Sequence, residues 1–297
     1  MNVLKKAIHR VYPPKHLAFY LQRTVLNPQR RQSIAGFFAS RLPKPANQAV
    51  SQEEERGVQA LETDGFAMLP QLITPGQIAD VMEYLKDKEC YDRWKPQFGR
   101  FQVDQAPPQC HVAPYIDSVI VAAPHLLEIA NHPSVLAIVQ KVLGCKPTIS
   151  NLGLWWSLTG HSKPEEAENY HRDVDEWHFI KLFVYLTDVT ENSGPHKFMR
   201  GSHRKPKLLP IRRYQDDEVH GVFGKGNEMV FTGKAGTCFL ENTFGFHKGQ
   251  LPISENRLVF QAQYSLHPIG IYSYEPSPQL EKNAQLDRYI NRLYSKA

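Results

Sequence analysis

The sequence predicts a mainly β fold: an antiparallel β core supported by helices on its N-terminal side. Three observations carry that expectation. Apolar residues at helical spacing dominate the chain ahead of Gly144. Beyond Gly144, short β-rich segments follow at Thr148–Leu158, Trp177–Leu186, Met229–Phe231, Gly236–Leu240 and Arg257–Ser265, with Gly, Pro and Asn clusters between them. No segment recurs at a fixed period, so a solenoid or propeller is not expected. Helices followed by a run of strands is the order of a chain that segregates its helices against one antiparallel sheet.

The elements read as follows. Residues 1–50 carry apolar side chains at Leu17, Phe19, Tyr20, Leu21, Val25 and Leu26, then at Ile34, Phe37 and Phe38, and Pro28, Pro43 and Pro45 cut them into short helices. A charged stretch from Gln52 to Arg56 opens a helix. Asp64-Gly65 turns into a short strand that Pro70 ends. Thr74-Pro75 is an N-cap followed by proline at the first helical position, and Ile78, Val81, Met82 and Leu85 then repeat at helical spacing. A second helical region runs from His125 to Leu143, broken at Pro133 and closed by Gly144. Gln279–Ala297 reads as a short amphipathic helix carrying Leu286, Ile290 and Leu293. The organisation expected is a basic extension over 1–50 and a single domain over 51–297, with a helical part at 51–145 and a β core at 146–270.

At 297 residues, 41% hydrophobic and 22% charged, the chain has the composition of a folded globular protein. Its net charge of +5 is unevenly placed: residues 1–50 hold nine of the 35 Lys and Arg and none of the 30 Asp and Glu. The body is therefore mildly acidic, and nucleic-acid binding by the core is not expected. A basic, acid-free extension fits peripheral contact with an anionic membrane, an organellar presequence, or a segment packed on the body. No apolar run approaches the roughly 18–20 residues that span a bilayer, and no secretory signal is expected. Cys90, Cys110, Cys145 and Cys238 are widely spaced, which disfavours a zinc finger, an iron–sulfur cluster or a disulfide scaffold and fits free thiols in a reducing, cytoplasmic setting.

Chemistry concentrates in Asn169-Tyr170-His171-Arg172-Asp173. In an extended chain residues i and i+2 share a face, so His171 and Asp173 can reach one metal ion as two parts of a 2-His-1-carboxylate set. Alone the pair is a weak signal, because a surface His near an Asp is the commoner reading of that motif. His247 supplies a second imidazole from a Gly-bounded loop just beyond the apolar strand that follows Gly236. Arg257 opens a strand in which Arg257, Val259, Gln261 and Gln263 share one face and Leu258, Phe260, Ala262 and Tyr264 the other. An inward Arg needs an anionic partner, and a carboxylate ligand would supply one.

With H-x-D at 171–173, L-T-D-V-T-x-x-S-G-P at 186–195, R-G-S-H-R at 200–204, G-T-x-F from Gly236 followed by His247, and an Arg ten residues on, the chain resembles the phytanoyl-CoA dioxygenase family of Fe(II)- and 2-oxoglutarate-dependent oxygenases. The resemblance covers about residues 55–270. It implies a double-stranded β-helix, the cupin-like jelly roll, with His171, Asp173 and His247 on iron and Arg257 on the distal carboxylate of 2-oxoglutarate. Lys181 and Phe183 lie on the strand that lines the co-substrate pocket in relatives. O2 is the oxidant implied, and succinate and CO2 are the by-products. The outcome implied is hydroxylation of an unactivated C–H bond in a small-molecule or lipid- or glycan-linked substrate. Desaturation, epimerisation and cyclisation on the same iron, and a non-catalytic cupin-like binder, are the alternatives. Asp173 stands against halogenation, since related halogenases lack the carboxylate. Tyr170, where many relatives have Trp or Gln, and the polar Lys181 depart from the pattern. Trp155, Trp156, Trp94, Phe98 and Phe101 are candidates for the pocket wall, and Arg93, Lys95 and Arg100 for an anionic group of the substrate.

Overall fold

The alternation in Arg257–Ser265 sets the two faces of the molecule. This strand pairs antiparallel with both Thr148–Ser157 and Phe179–Tyr185, so that Arg257 sits opposite Ser157, and Gln261 opposite both Gly153 and Phe183. The computed structural model describes residues 14–45, 50–274, 276–277 and 286–295. Its strands are β1 (Phe66–Leu69), β2 (Cys90–Tyr91), β3 (Arg100–Phe101), β4 (Val112–Pro114), β5 (Thr148–Ser157), β6 (Phe179–Tyr185), β7 (His196–Met199), β8 (Glu228–Phe231), β9 (Cys238–Glu241), β10 (His247–Gly249) and β11 (Arg257–Ser265). They form a six-stranded sheet in the order β1-β9-β6-β11-β5-β4, a three-stranded sheet β10-β7-β8, and the small pair β2-β3. Strand order departs from chain order throughout the large sheet, as it must when a chain crosses between the two layers of a jelly roll.

The outer face of the large sheet, with Leu182, Val184, Leu240, Leu258, Phe260 and Ala262 all buried, packs on helices in one extended core. The helices are α1 (Pro14–Gln22), α2 (Pro28–Ala39), α3 (Gln52–Thr63), α4 (Pro75–Leu85), α5 (Asp117–Ala122), α6 (Leu126–Ala130), α7 (Pro133–Leu143) and α8 (Asp216–Phe223). Their ends follow from local chemistry. Ser51 and Glu54 form a capping box on α3, Thr74 and Gln77 do the same on α4, and Gly144, left-handed at φ 73°, terminates α7. On α7, Val135, Ile138 and Val139 form the buried stripe. Each such side chain contributes about 1.5–3 kcal/mol of burial. The inner face packs on the small sheet through a second, aromatic core of Phe66, Phe183, Tyr185, Phe198, Phe231 and Phe239. Phe231 and Phe239 stack with centroids 4.4 Å apart.

One expectation changes. Gln279–Ala297 was expected as a helix, but its described part, 286–295, holds no helix and is a run of turns over 288–294. The Asp287 side chain accepts from the backbone N–H of Tyr289 and Ile290, and Asn291 pairs with Asn131 of the helical layer, so docking overrides the local period. Positions 279–285 and 296–297 lie outside the described residues, as do 1–13 and 46–49 of the basic extension. Within that extension α1 and α2 pack on the body: Phe19, Arg31, Ala35 and Ala39 are buried. No described helix is long and apolar enough to cross a membrane.

Candidate active site

His171 and His247 arrive on neighbouring chain segments. The two residues exchange both backbone hydrogen bonds, each N–H donating to the other's carbonyl at 3.0 Å. His171 thus sits in an isolated bridge, beside the first residue of β10, and the loop expected for His247 is the opening of that strand. Asp173 follows through its own N–H, which donates to Thr243 O at 2.9 Å. The intervening Arg172 points the other way, as extended geometry requires. Side chains from two segments distant in sequence therefore share one face without a continuous strand between them.

Their ligand atoms lie within 4.8 Å of one another. His171 Nε2 is 3.6 Å from Asp173 Oδ1, and His247 Nε2 is 3.3 Å from Asp173 Oδ2. Each ring is oriented from behind: His171 Nδ1 donates to Asn169 O at 2.9 Å and His247 Nδ1 to Gly245 O at 3.0 Å. A carbonyl only accepts, so both protons sit on Nδ1 and both Nε2 atoms face Asp173. This is the outer-shell arrangement that fixes the tautomer of a metal-bound imidazole. Two nitrogens and one carboxylate, each oriented, are a donor set that suits ferrous iron.

Charge is graded across the group. Burial, then the neighbouring His247, pushes the His171 imidazole well below its ordinary value. Burial opposes ionisation of Asp173, but the Lys181 ammonium and then His247 hold its carboxyl well below the usual range. Lys181 Nζ donates to Asp173 Oδ2 at 2.6 Å and lies 3.4 Å from Asp175. Behind His247, the His196 ring stacks at 5.6 Å and its Nε2 lies 2.8 Å from Oε2 of the fully buried Glu241. Burial pushes Glu241 up to about 8 and His196 below its ordinary value. Sequence reasoning missed Glu241, His196 and Asp175. The first was within reach, because Glu241 follows the inward Phe239 by two residues and pairs with Lys181.

The group opens on a cavity of about 380 Å³ that Arg257, Ser157, Lys181 and Phe183 also line. Arg257 is 4% exposed. It donates to Gly194 O and, at 3.1 Å, to Ser157 Oγ, while its Nε is buried without a partner. No carboxylate among the described residues forms an ion pair with it. A buried cation facing a cavity in this state fits an anionic guest, which is the match expected for a dicarboxylate. Gly194, at φ 66°, is the residue that aims its carbonyl at Arg257, and a Cβ there would meet Gln250 O at 2.2 Å. Gly249 leaves similar room, since a Cβ would lie 2.9 Å from the Arg257 guanidinium.

The remaining candidates divide. Trp155, Trp94, Arg93 and Lys95 line the cavity. Trp156 faces the opposite side and donates to Tyr115 Oη. Phe98 and Phe101 belong to the helical core, and Arg100 pairs with Tyr91 on the outlying β2-β3 ribbon. Tyr170 is buried with its hydroxyl on Glu228, away from the cavity.

The phytanoyl-CoA dioxygenase family model matches residues 61–250, a span that contains the two histidines and Asp173 and stops short of Arg257. No curated protein matches the chain. Among solved structures, HygX from Streptomyces hygroscopicus, with nickel, 2-oxoglutarate and hygromycin B bound, superposes with a TM-score of 0.53 at 15% identity, over 80% of this chain and 96% of that one. EctD from S. alaskensis, with 2-oxoglutarate and 5-hydroxyectoine, gives 0.52 at 18% identity over 86% and 88%. SnoK, an α-ketoglutarate-dependent carbocyclase of nogalamycin biosynthesis, gives 0.52 at 14% over 73% and 87%. These likenesses are likenesses of fold.

Proposed function

The chain belongs to the phytanoyl-CoA dioxygenase family, the 2-oxoglutarate-dependent non-haem iron dioxygenases, and from that premise we propose that His171, Asp173 and His247 hold Fe(II) while Arg257 holds the distal carboxylate of 2-oxoglutarate. The observation that carries this reading is the convergence of two oriented Nε2 atoms and one carboxylate in the same cavity as a buried guanidinium with an unused donor. Iron, 2-oxoglutarate and O2 together supply oxidative decarboxylation coupled to removal of hydrogen from a C–H bond. The protein's own residues orient and exclude. Asn169 O and Gly245 O fix the two rings. Lys181 keeps Asp173 ionised, a role distinct from the co-substrate contact expected for it. Phe183, with Trp155, walls the cavity against water.

The substrate is a small molecule, as for the neighbours solved with hygromycin B or 5-hydroxyectoine, and the reaction is hydroxylation at a carbon held at the cavity mouth. The domain is 51–297, with residues 1–50 as an extension. Incubating the iron-loaded enzyme with a small-molecule extract and 2-oxoglutarate tests this. Mass spectrometry should find a compound that gains one oxygen as succinate accumulates. A loss of two hydrogens instead would favour desaturation or cyclisation, an outcome the carbocyclase neighbour makes worth reading. Peripheral contact of the extension with an anionic membrane has support in Leu17, Leu21 and Phe37, which are exposed on α1 and α2 in an acid-free segment. Co-sedimentation with phosphatidylserine vesicles should be lost in Leu17→Ala/Leu21→Ala/Phe37→Ala, and equal partitioning of the variant would remove the idea.

A further inference from the structure

The segment after Asp173 lacks regular structure through residue 178, so no strand ladder satisfies its backbone or holds its shape. Its carbonyls are met instead from the N-terminal helices. Gln22 Nε2 donates to Val174 O at 2.7 Å, Arg23 to the same oxygen at 3.0 Å, and Arg31 to Glu176 O at 2.5 Å. Arg31 is 3% exposed and both of its terminal nitrogens are engaged twice: it also donates to Gln22 O, Val25 O and Gln22 Oε1 at 2.8–2.9 Å. Its guanidinium lies 5.4 Å from the Trp177 ring and 5.0 Å from the Phe244 ring. Phe244 stands three residues before His247. From inside, Arg172 donates to Phe244 O at 2.5 Å and lies 5.1 Å from the same ring. Two buried arginines therefore bracket one phenylalanine, and between them they join the segment carrying Asp173 to the segment carrying His247.

We propose that Arg31 is a positioning residue for the metal centre, holding the segments of Asp173 and His247 in register from α2, so that the N-terminal helices belong to the catalytic machinery. This rests on the assignment of His171, Asp173 and His247 to the metal. The physical reason is preorganisation. The Arg31 fork satisfies Glu176 O directly and, through its bonds to Gln22, steadies a donor to Val174 O, so the ordering cost of the loop is met before the metal arrives. Groups that hydrogen-bond a ligand directly typically change metal affinity by about 10–100-fold, and Arg31, acting through the backbone one step further out, belongs at the lower end of that range. An arginine that only glues the helices down would lower thermal stability and leave the metal site as it was.

The test uses the full chain and Co(II), followed by its visible absorption at a temperature where circular dichroism shows each variant folded. Parent protein binds Co(II), and Asp173→Ala does not. Arg31→Met weakens Co(II) binding about tenfold, and Arg31→Lys falls between it and the parent. Gln32→Ala, exposed on α2, leaves the affinity unchanged. Arg31→Met folded with parental Co(II) affinity overturns the proposal. If Arg31→Met fails to fold, the double variant Gln22→Ala/Arg23→Ala decides: it removes both donors to Val174 O, and several-fold weaker binding supports positioning while unchanged binding overturns it. Failure of the parent to bind Co(II) would instead strike at the metal assignment itself, and the positioning role would fall with it.

Discussion

Replacing Arg257 with methionine separates a residue kept for its ligand from one kept for the fold. The guanidinium is buried, spends two donors on Gly194 O and Ser157 Oγ, and keeps Nε unpaired. A charge-assisted hydrogen bond contributes about 1.5–3 kcal/mol, and a fork offers one or two to a carboxylate. Losing about 3 kcal/mol weakens 2-oxoglutarate binding about 100-fold. Arg257 makes no contact with His171, Asp173 or His247, so metal affinity should hold. Stability should change little. A buried cation without a counter-ion pays for desolvation, which an apolar side chain of like size does not. Gly194 O and Ser157 Oγ, left buried without that donor, cost about 1–3 kcal/mol each against this gain. Calorimetric titration of 2-oxoglutarate into anaerobic Mn(II)-loaded protein, with thermal melts of the metal-free forms, reads both quantities. Affinity within about threefold of the parent, or a metal-free variant several kcal/mol less stable, would refute the reasoning and make Arg257 structural.

Asp173→Ala should abolish the visible charge-transfer band of the anaerobic Fe(II)–2-oxoglutarate protein; a parental band in the variant would remove Asp173 from the metal. Gly194→Ala, with its Cβ 2.2 Å from Gln250 O at φ 66°, should cost at least about 2 kcal/mol and weaken 2-oxoglutarate binding by displacing the carbonyl that steadies Arg257. Thermal melting and calorimetry read the two effects, and a fully stable variant would contradict the packing. Acid should destabilise the fold: burial lowers His203 and His178 to about 4, so the unfolded chain takes up protons near its ordinary histidine pKa that the folded chain refuses. Stability is then lost as pH falls from about 6.5 towards 4, at about 1.4 kcal/mol per unit for each histidine. Urea denaturation between pH 7 and 5 should show a shallower fall for His203→Gln, and identical slopes would count against a neutral buried His203.

Much of this was legible in the residues. The alternation in Arg257–Ser265 places its two faces as the structure has them, and Thr74-Pro75 and Gly144 mark helix ends by their own chemistry. His171, Asp173, His247 and Arg257 were singled out because each pairs a reactive type with a strand or turn signal, and the fold brings all four to one cavity. Partners fixed by tertiary contact were not. Arg31 looks like one of nine basic residues in an acid-free leader, and nothing local tells that it is buried against Trp177 and Phe244. Trp155 and Trp156 are neighbours in sequence, yet only the sheet's orientation sends one to the cavity and the other to Tyr115. Lys181 was legible as a polar residue sharing a strand face with Phe183, but its partner Asp173 comes from a segment without regular structure, whose path no periodicity describes.

The most direct measurement is anomalous diffraction at the iron edge from crystals grown anaerobically with Fe(II) and 2-oxoglutarate. One iron peak should lie among His171 Nε2, His247 Nε2 and the Asp173 carboxylate, with the distal carboxylate of 2-oxoglutarate on Arg257. Iron bound elsewhere, or a co-substrate that leaves Arg257 on Gly194 and Ser157 alone, would contradict it.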